Sequence, residues 1–200
     1  SGRYAYITLD QTTDGFVIVD ISNPHKPFIV STVLPSGMGT PLGIAVSGHY
    51  LYVIDQNFSD LFVYDVRNPS SPKKVSQTGL IGGDVNAVSI NISGRFAYIL
   101  TAFTIQSVDI SNPASPVVLQ SLSVSSSGGM DLAGRYLYVA DDASGMDGFR
   151  VVDVSNPWSL KEVTRLTTST GGTPYKMVVS GHYGYVLDYT ADTITVVDIS

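Results

Sequence analysis

Aspartates are the residues of this sequence whose types and spacing best suit chemistry. One group lies in the short segment Asp141-Asp-Ala-Ser-Gly-Met-Asp147. A loop rich in carboxylate oxygens can bind Ca²⁺, which takes six to eight oxygen ligands. The spacing matches no defined calcium-binding loop, and aspartate is also a favoured turn residue. The sequence therefore predicts no resident metal or cofactor. If a cation does bind, its candidate ligands are Asp141, Asp142 and Asp147.

A second group of aspartates recurs every 44 or 45 residues, each before a segment such as Ile-Ser-Asn-Pro. Its members are Asp20, Asp65, Asp109, Asp153 and Asp198. A ring of carboxylates could act as ligands, but a residue repeated in every unit is also expected to be structural. We predict that each one braces a strand end by accepting hydrogen bonds from backbone N–H groups or from a basic residue of the repeat. That basic residue is Arg3, His49, Arg95, Arg135 or His182.

No catalytic motif is recognisable in the sequence. Gly-x-Ser-x-Gly, a metal-binding His pair and a Gly-rich nucleotide loop are all missing. Cysteine is also missing, which excludes disulfides and a thiolate nucleophile. A few polar residues could face a central channel, where an enzyme of this architecture would place its chemistry; the alternative is a solvated channel lining. These residues are Ser89, Asn91, Asp131 and Lys176.

Charge and sequons narrow the range of partners. The net charge is −6 and Lys and Arg form no cluster, so nucleic-acid binding has no electrostatic source. No apolar run approaches the ~18 residues of a membrane span, so we expect no membrane insertion. Two sequons, at Asn57 and Asn91, are candidates for glycosylation. The predicted partners are therefore another protein or further copies of this one.

The elements that position these residues recur in five units. Each unit holds two strong β runs, one with the pattern Gly-x-Tyr-x-Tyr and one that ends at the recurrent aspartate. Two weaker runs lie between them, and no segment has a sustained helical period. Four strands in a unit of about 40–45 residues are typical of a β-propeller blade. From the axis outward, strand A precedes the Gly turn, B carries Tyr-x-Tyr, C carries the aspartate and D follows Asn-Pro.

This pattern predicts an all-β fold, a β-propeller of four-stranded antiparallel blades, with about 4.5 blades present. A single propeller region covers residues 1–200. Its units lie at approximately 1–46, 47–92, 93–132, 133–179 and, in part, 180–200. Because the sequence opens on strand B and stops on strand C, we expect a fragment of a longer chain whose ring has six to eight blades.

Aromatic pairs in strand B predict how the blades stack. Residues two apart point to the same face of a strand, and strands B and C are apolar on both faces, so neighbouring blades must cover them. We predict that the second member of each pair is buried against the adjacent blade, with its hydroxyl hydrogen-bonded. The pairs are Tyr4/Tyr6, Tyr50/Tyr52, Phe96/Tyr98, Tyr136/Tyr138 and Tyr183/Tyr185.

The repeat resembles that of the LVIVD-repeat family, whose blades carry Val-Ile-Val-Asp-Val-Ser-Asn-Pro after an upstream Gly-x-Tyr-x-Tyr-Val. Val17-Ile-Val-Asp-Ile-Ser-Asn-Pro24 matches it closely, and the resemblance covers the whole chain. Arg67 replaces Ser in the second unit, and Gln106-Ser107 interrupts the apolar run of the third. The resemblance implies a secreted or envelope location within larger bacterial or archaeal surface proteins. It implies no shared activity.

These observations favour a non-catalytic interaction or structural module of a prokaryotic cell-surface or extracellular protein. Few charges, abundant Ser, Thr and Tyr, and the missing catalytic motifs support this hypothesis. The alternative is a propeller enzyme or a carbohydrate-binding module whose site lies at the mouth of the axial channel.

Overall fold

Strands form every regular element in the described part of the chain. A computed structural model describes residues 2–9, 14–81, 86–124, 128–141, 148–167 and 172–200. Within these ranges eighteen strands form five antiparallel sheets that follow one another along the chain. The prediction of an all-β fold made of four-stranded antiparallel units is confirmed. No helix in these ranges is long and apolar enough to cross a membrane.

Each strand pairs with the next strand in the sequence, so every sheet is a meander. Sheets 2, 3 and 4 contain strands A to D, sheet 1 contains strands B to D and sheet 5 contains strands A to C. Sheet 1 is β1 (Tyr4–Leu9), β2 (Gly15–Asp20) and β3 (Phe28–Val33); sheet 2 is β4 (Pro41–Ser47), β5 (Tyr50–Asp55), β6 (Asp60–Asp65) and β7 (Lys73–Gly79). Sheet 3 is β8 (Ala87–Ser93), β9 (Phe96–Thr101), β10 (Thr104–Asp109) and β11 (Val117–Ser123). Sheet 4 is β12 (Met130–Ala133), β13 (Tyr136–Asp141), β14 (Gly148–Asp153) and β15 (Lys161–Thr167); sheet 5 is β16 (Pro174–Ser180), β17 (Tyr183–Asp188) and β18 (Thr193–Asp198).

Local sequence explains the turn between strands A and B. β4 ends at Ser47 and β5 begins at Tyr50, which leaves a two-residue hairpin loop. Such a loop needs a positive φ, which glycine adopts without a Cβ clash. Gly48 has a φ of 57°, and the glycine at this position is likewise left-handed in each of the other four units. Gly48 and its equivalents therefore supply the left-handed residue of each A–B turn.

Stacking of the sheets generates the core. We call the face of each sheet that carries the second tyrosine its trailing face, and the opposite face its leading face. The trailing face of sheet 2, with Tyr52 and Leu61, packs against the leading face of sheet 3, with Ala97 and Ile99. Equivalent clusters join sheet 1 to sheet 2, sheet 3 to sheet 4 and sheet 4 to sheet 5. The core thus lies between sheets, because each sheet is apolar on both faces.

The prediction that the second tyrosine is buried is confirmed for Tyr52, Tyr98 and Tyr138. It is met only in part by Tyr6, which is half-buried, and it is wrong for Tyr185. Tyr52, Tyr98 and Tyr138 are buried, and the Tyr98 hydroxyl donates a hydrogen bond to the Val154 carbonyl oxygen at 3.1 Å. Burial raises the pKa of the Tyr52 hydroxyl to about 12. Tyr185 is exposed. Its position follows the repeat, but no further sheet in the described residues packs against the trailing face of sheet 5.

Candidate functional site at the axial cavity

The innermost strands of sheets 2 to 5 surround a common cavity. β4, β8, β12 and β16 contact one another in sequence. Between them lie two adjoining spaces of about 460 and 470 Å³, which share Leu42, Val88 and Lys176 in their walls. Volumes of this size fall in the range of small-molecule sites. We refer to the two spaces together as the axial cavity.

The four polar residues that the sequence placed in a channel all line this cavity. Two of them also connect neighbouring sheets. The Asn91 side-chain amide donates to the Met130 carbonyl oxygen at 3.1 Å. The Asp131 carboxylate accepts from the backbone N–H groups of Val179, at 2.7 Å, and Leu132, at 2.9 Å. Asn91 and Asp131 therefore hold sheets 3, 4 and 5 together.

Lys176 has no charged partner among the described residues, and neither have the other four lysines of the chain. Of the described residues, it is the one charged residue that lines the first space. Its ammonium takes part in no ion pair within that part of the chain. A Cβ added to Gly129 would lie only 2.9 Å from Lys176 Cδ and 3.6 Å from Lys176 Nζ. The lysine side chain therefore packs against Gly129, which directly precedes β12.

Two amide side chains and Tyr175 line the mouth of the cavity, at the edge that carries the B–C loops. Gln56 Nε2 donates to Asn86 Oδ1 at 3.0 Å, and the Asn86 N–H donates to the Gln56 carbonyl oxygen at 2.6 Å. Asn86 has a φ of 98°, which is unusual for a residue with a side chain. Tyr175 lines the first space, and its ring centroid lies 6.1 Å from that of Tyr189. The mouth thus combines amide, aromatic and cationic groups.

The recurrent aspartates lie at the opposite edge, at the ends of the C strands. Each one accepts a hydrogen bond of 2.8 to 3.0 Å from the backbone N–H two residues later. Asp20 also pairs with Arg3, whose hydrogen bond helps to lower the pKa of Asp20 to about 2. Asp109 and Asp153 pair with Arg95 and Arg135 in the same way. Asp65 pairs with Arg67, which stands where the other units have serine. These contacts brace the C–D corners.

A further set of aspartates braces the B–C edge, at the ends of the B strands. The Asp55 carboxylate accepts from the N–H of Asn57, at 2.7 Å, and from that of Phe58, at 3.0 Å. Burial works against ionisation of Asp188, but hydrogen bonds from backbone N–H groups, Ala191 and Thr173 among them, lower its pKa below the ordinary value. These carboxylates connect loops of one sheet in the way that the recurrent aspartates brace the other edge.

The candidate cation ligands are only partly described. Asp141 accepts hydrogen bonds from Arg150 Nε, at 3.1 Å, and Nη2, at 2.6 Å. Asp142 and Asp147 lie outside the described residues. Among the described residues, no three His, Cys, Asp or Glu side chains are grouped so as to hold a metal ion. The Asp141 carboxylate is therefore occupied by an arginine in this structure.

The two sequons lie in different surroundings. Asn57 is exposed in a B–C loop. Asn91 is half-buried in the wall of the axial cavity, and its amide nitrogen is the donor of the bond to Met130. Asn57 is therefore the more accessible of the two for a glycan.

The sequence analysis did not predict the roles of two buried polar residues of the C strands, Arg150 and Gln106. Arg150 is buried between Asp141 and Glu162, whose carboxylate lies 2.9 Å from Arg150 Nη1. The Gln106 side-chain amide bonds to both the N–H and the carbonyl oxygen of Ile81, at 2.9 and 2.7 Å. In both cases the sequence shows a polar residue within an apolar run. The partners of that residue lie elsewhere in the chain, so the run itself does not identify them.

Comparison with known proteins identifies the repeat and the fold. The LVIVD repeat model matches residues 1–34, 39–78, 82–124, 126–168 and 171–200. No curated protein matches the chain. Among solved structures, a protein of unknown function from Desulfotomaculum acetoxidans is 16% identical with a TM-score of 0.71, and the alignment covers 96% of this chain and 65% of that one.

Two further structures have propeller-like folds and different roles. The periplasmic gluconolactonase of Pseudomonas aeruginosa is 16% identical with a TM-score of 0.76, over 99% of this chain and 68% of its own. A chain of the nidogen–laminin complex is 16% identical with a TM-score of 0.69, over 98% of this chain and 72% of its own. The chain thus spans about two thirds of the length of these structures, and at this identity the likeness shows the fold alone. Because the repeat model matches nearly the whole sequence, the chain belongs to the LVIVD-repeat family.

Proposed function

We propose that this chain is an arc of a larger β-propeller ring that serves as a non-catalytic interaction module of a prokaryotic cell-surface or extracellular protein. Its partner is another protein or a further copy of the same protein. The ring is completed by further repeats to a total of six to eight blades.

Ring completion is supported by the repeated junction between sheets. Four successive junctions bury a trailing face against a leading face, and the trailing face of sheet 5 remains exposed with the same apolar pattern. The eighteen described strands align with 65 to 68% of the length of two propeller-like chains. Scaled to the full length of those chains, this corresponds to about 27 strands, which is close to seven four-stranded blades. A further LVIVD repeat is the element whose leading face fits this surface.

The interaction role is supported by exposed apolar side chains at both edges of the arc. Phe58 and Phe103 stand at equivalent tips of the B–C loops in sheets 2 and 3, and both are exposed. Tyr189 is exposed at the same edge. The opposite edge, which carries the Asn-Pro turns, exposes Phe28 and Trp158. Exposed aromatic residues are characteristic of protein–protein interfaces.

A second candidate function is binding or catalysis at the mouth of the axial cavity. It is favoured by the volume of the cavity, by Lys176, which has no ion pair among the described residues, and by the structural likeness to a gluconolactonase. Asp131 and Lys176 are the charged residues in the described wall of the cavity, so an enzyme would depend on them.

Hydrolysis of glucono-δ-lactone tests the catalytic form of the second candidate. The proposed non-catalytic role predicts that the purified chain hydrolyses the lactone no faster than buffer does. The Asp131→Asn and Lys176→Met variants should then behave like the parent chain. A rate above that of buffer that falls in either variant would overturn the proposal and establish the second candidate.

A further inference from the structure

We infer that the mouth of the axial cavity binds an acidic sugar, with the sugar carboxylate on Lys176 and the sugar ring against Tyr175. This inference rests on the second candidate function, since it names the ligand class of that site. It requires binding only, and it stands whether or not the site is catalytic.

The charge argument starts from how the cations of the chain are used. All six arginines take part in ion pairs with carboxylates. None of the five lysines takes part in an ion pair within the described residues, and Lys176 is the one of them that lines the axial cavity. Its side chain packs over Gly129, and no carboxylate among the described residues pairs with it. An anionic ligand would supply that missing charge.

The number of charges points to a monoanion. The first space contains a single ammonium and no guanidinium among its described lining residues. Asp131 lines the adjoining space, and its carboxylate is already hydrogen-bonded to two backbone N–H groups. Phosphate is usually bound by several donors or by an arginine fork. One lysine with a carboxylate nearby matches a sugar carboxylate better than it matches a phosphate dianion.

The apolar part of the site suits one face of a sugar ring. The Tyr175 side chain is 59% exposed, so its ring is available to a ligand. Tyr189 lies beside it, with the two rings inclined by 48°. Leu42 and Val88 complete the apolar wall. An aromatic ring offers a flat apolar surface at low cost in side-chain entropy, and the C–H groups of a pyranose present a matching face.

Two side-chain amides supply hydrogen-bonding groups for the sugar hydroxyls. Gln56 Nε2 donates to Asn86 Oδ1, which leaves the Asn86 NH₂ group as a donor and Gln56 Oε1 as an acceptor. Both residues line the same space as Lys176 and Tyr175. Asn86 is also held in a left-handed backbone conformation, and such strain is found preferentially at functional sites. The mouth therefore combines one cation, one aromatic platform and an amide pair.

Calorimetric titration with three sugars tests the inference on the intact chain. The probes are glucuronate, neutral glucose and glucose 6-phosphate, each titrated up to millimolar concentrations at low salt. We expect glucuronate to bind about tenfold more tightly than glucose and more tightly than glucose 6-phosphate, because the charge-assisted bond to Lys176 is the largest single contact.

Variants assign the binding to Lys176. Lys176→Met should weaken glucuronate binding about tenfold, Lys176→Arg should retain most of it, and Lys73→Met, at the opposite edge of the arc, should leave it unchanged. Because Lys176 is exposed, these variants should unfold at the same temperature as the parent. No binding of glucuronate, equal binding of glucuronate and glucose, or equal affinities in the Lys176→Met and Lys73→Met variants would overturn the inference. Tighter binding of glucose 6-phosphate than of glucuronate would also overturn it, because the ligand class would then be a sugar phosphate. None of these results depends on lactone hydrolysis, so the two proposals fail separately.

Discussion

The trailing faces of sheets 3 and 5 have the same pattern and very different surroundings. In sheet 3, Tyr98, Leu100 and Ile105 are each no more than 2% exposed. The equivalent residues of sheet 5, Tyr185, Leu187 and Ile194, are 39 to 65% exposed. Strand pairing is the same in both, since Tyr98 lies opposite Ser107 and Tyr185 lies opposite Val196. The difference lies in the neighbour, because sheet 4 covers sheet 3.

This comparison teaches that a repeat position contributes to stability through the sheet that covers it. Burying a large apolar side chain stabilises a fold by roughly 1.5–3 kcal/mol, so the same residue types contribute differently at the two ends of the arc. The leading face of sheet 1 gives the same lesson, because Ile7 and Ile21 are exposed there and their equivalents Val53 and Val66 are buried.

Truncating the covered tyrosine should have the largest effect. Tyr98→Ala removes a buried ring from the junction of sheets 3 and 4 and should lower the free energy of unfolding by about 3–5 kcal/mol. Tyr185→Ala, the matched change on the exposed face, should cost less than about 1 kcal/mol. Urea denaturation followed by circular dichroism measures both. Equal losses of unfolding free energy in the two variants would show that a covering sheet does not change what this tyrosine contributes to stability.

The sequence was sufficient to predict the strands, the Gly turns and the stacking of the sheets, because each follows from a pattern that recurs in every unit. Tyr185 was wrongly expected to be buried, since its own sequence cannot show whether another sheet follows in space. Arg150 with Asp141, and Gln56 with Asn86, were also missed as pairs. Their partners lie on other strands or other sheets, and the repeat pattern holds no information about residues that differ between units.

Ion pairs extend the comparison from apolar to charged residues. Arg150 and Asp141 are both buried, so Arg150→Leu would leave the Asp141 carboxylate buried without its arginine and should cost about 3 kcal/mol. Arg135 is exposed beside Asp153, so Arg135→Leu should have a much smaller effect. The same denaturation experiment compares the two variants. A larger loss in Arg135→Leu would mean that burial is not what decides the contribution.

Hydroxyl groups provide a finer test. The Tyr98 hydroxyl is bonded to Val154, and Tyr98→Phe should cost about 1 kcal/mol. The Tyr64 hydroxyl is buried without a hydrogen-bond partner among the described residues, so Tyr64→Phe should leave stability unchanged or raise it slightly. Thermal unfolding of the two variants beside the parent measures the difference. Destabilisation by Tyr64→Phe equal to that by Tyr98→Phe would contradict this assignment.

The smallest effect should be the response to acid. Hydrogen bonds from Arg3 and Arg67 help to lower the pKa of Asp20 and of Asp65 from an ordinary value of 3.8 to about 2. A carboxyl with a lowered pKa stabilises the folded state above its ordinary pKa and loses that contribution as the pH falls through the lowered value. The unfolding temperature should therefore stay level from pH 7 to about 4 and fall between about 4 and 2.

A matched variant assigns this response to the recurrent aspartates. Asp65→Asn removes one titrating group, so its unfolding temperature should fall less steeply between pH 4 and pH 2 than that of the parent. An identical acid response in parent and variant would show that Asp65 does not contribute to it.

Hydrogen exchange measured strand by strand tests the central claim most directly, namely that the covering sheet stabilises each unit. The backbone amides of β9 lie in a sheet covered on both faces, and those of β17 lie in a sheet with one exposed face. Both strands are paired on each side, so they differ in the cover of their sheet and not in strand pairing. Exchange followed by mass spectrometry on the intact chain should be slower in β9 by at least about tenfold, because local opening costs more where more apolar surface is buried. Equal protection of the two strands would contradict the account.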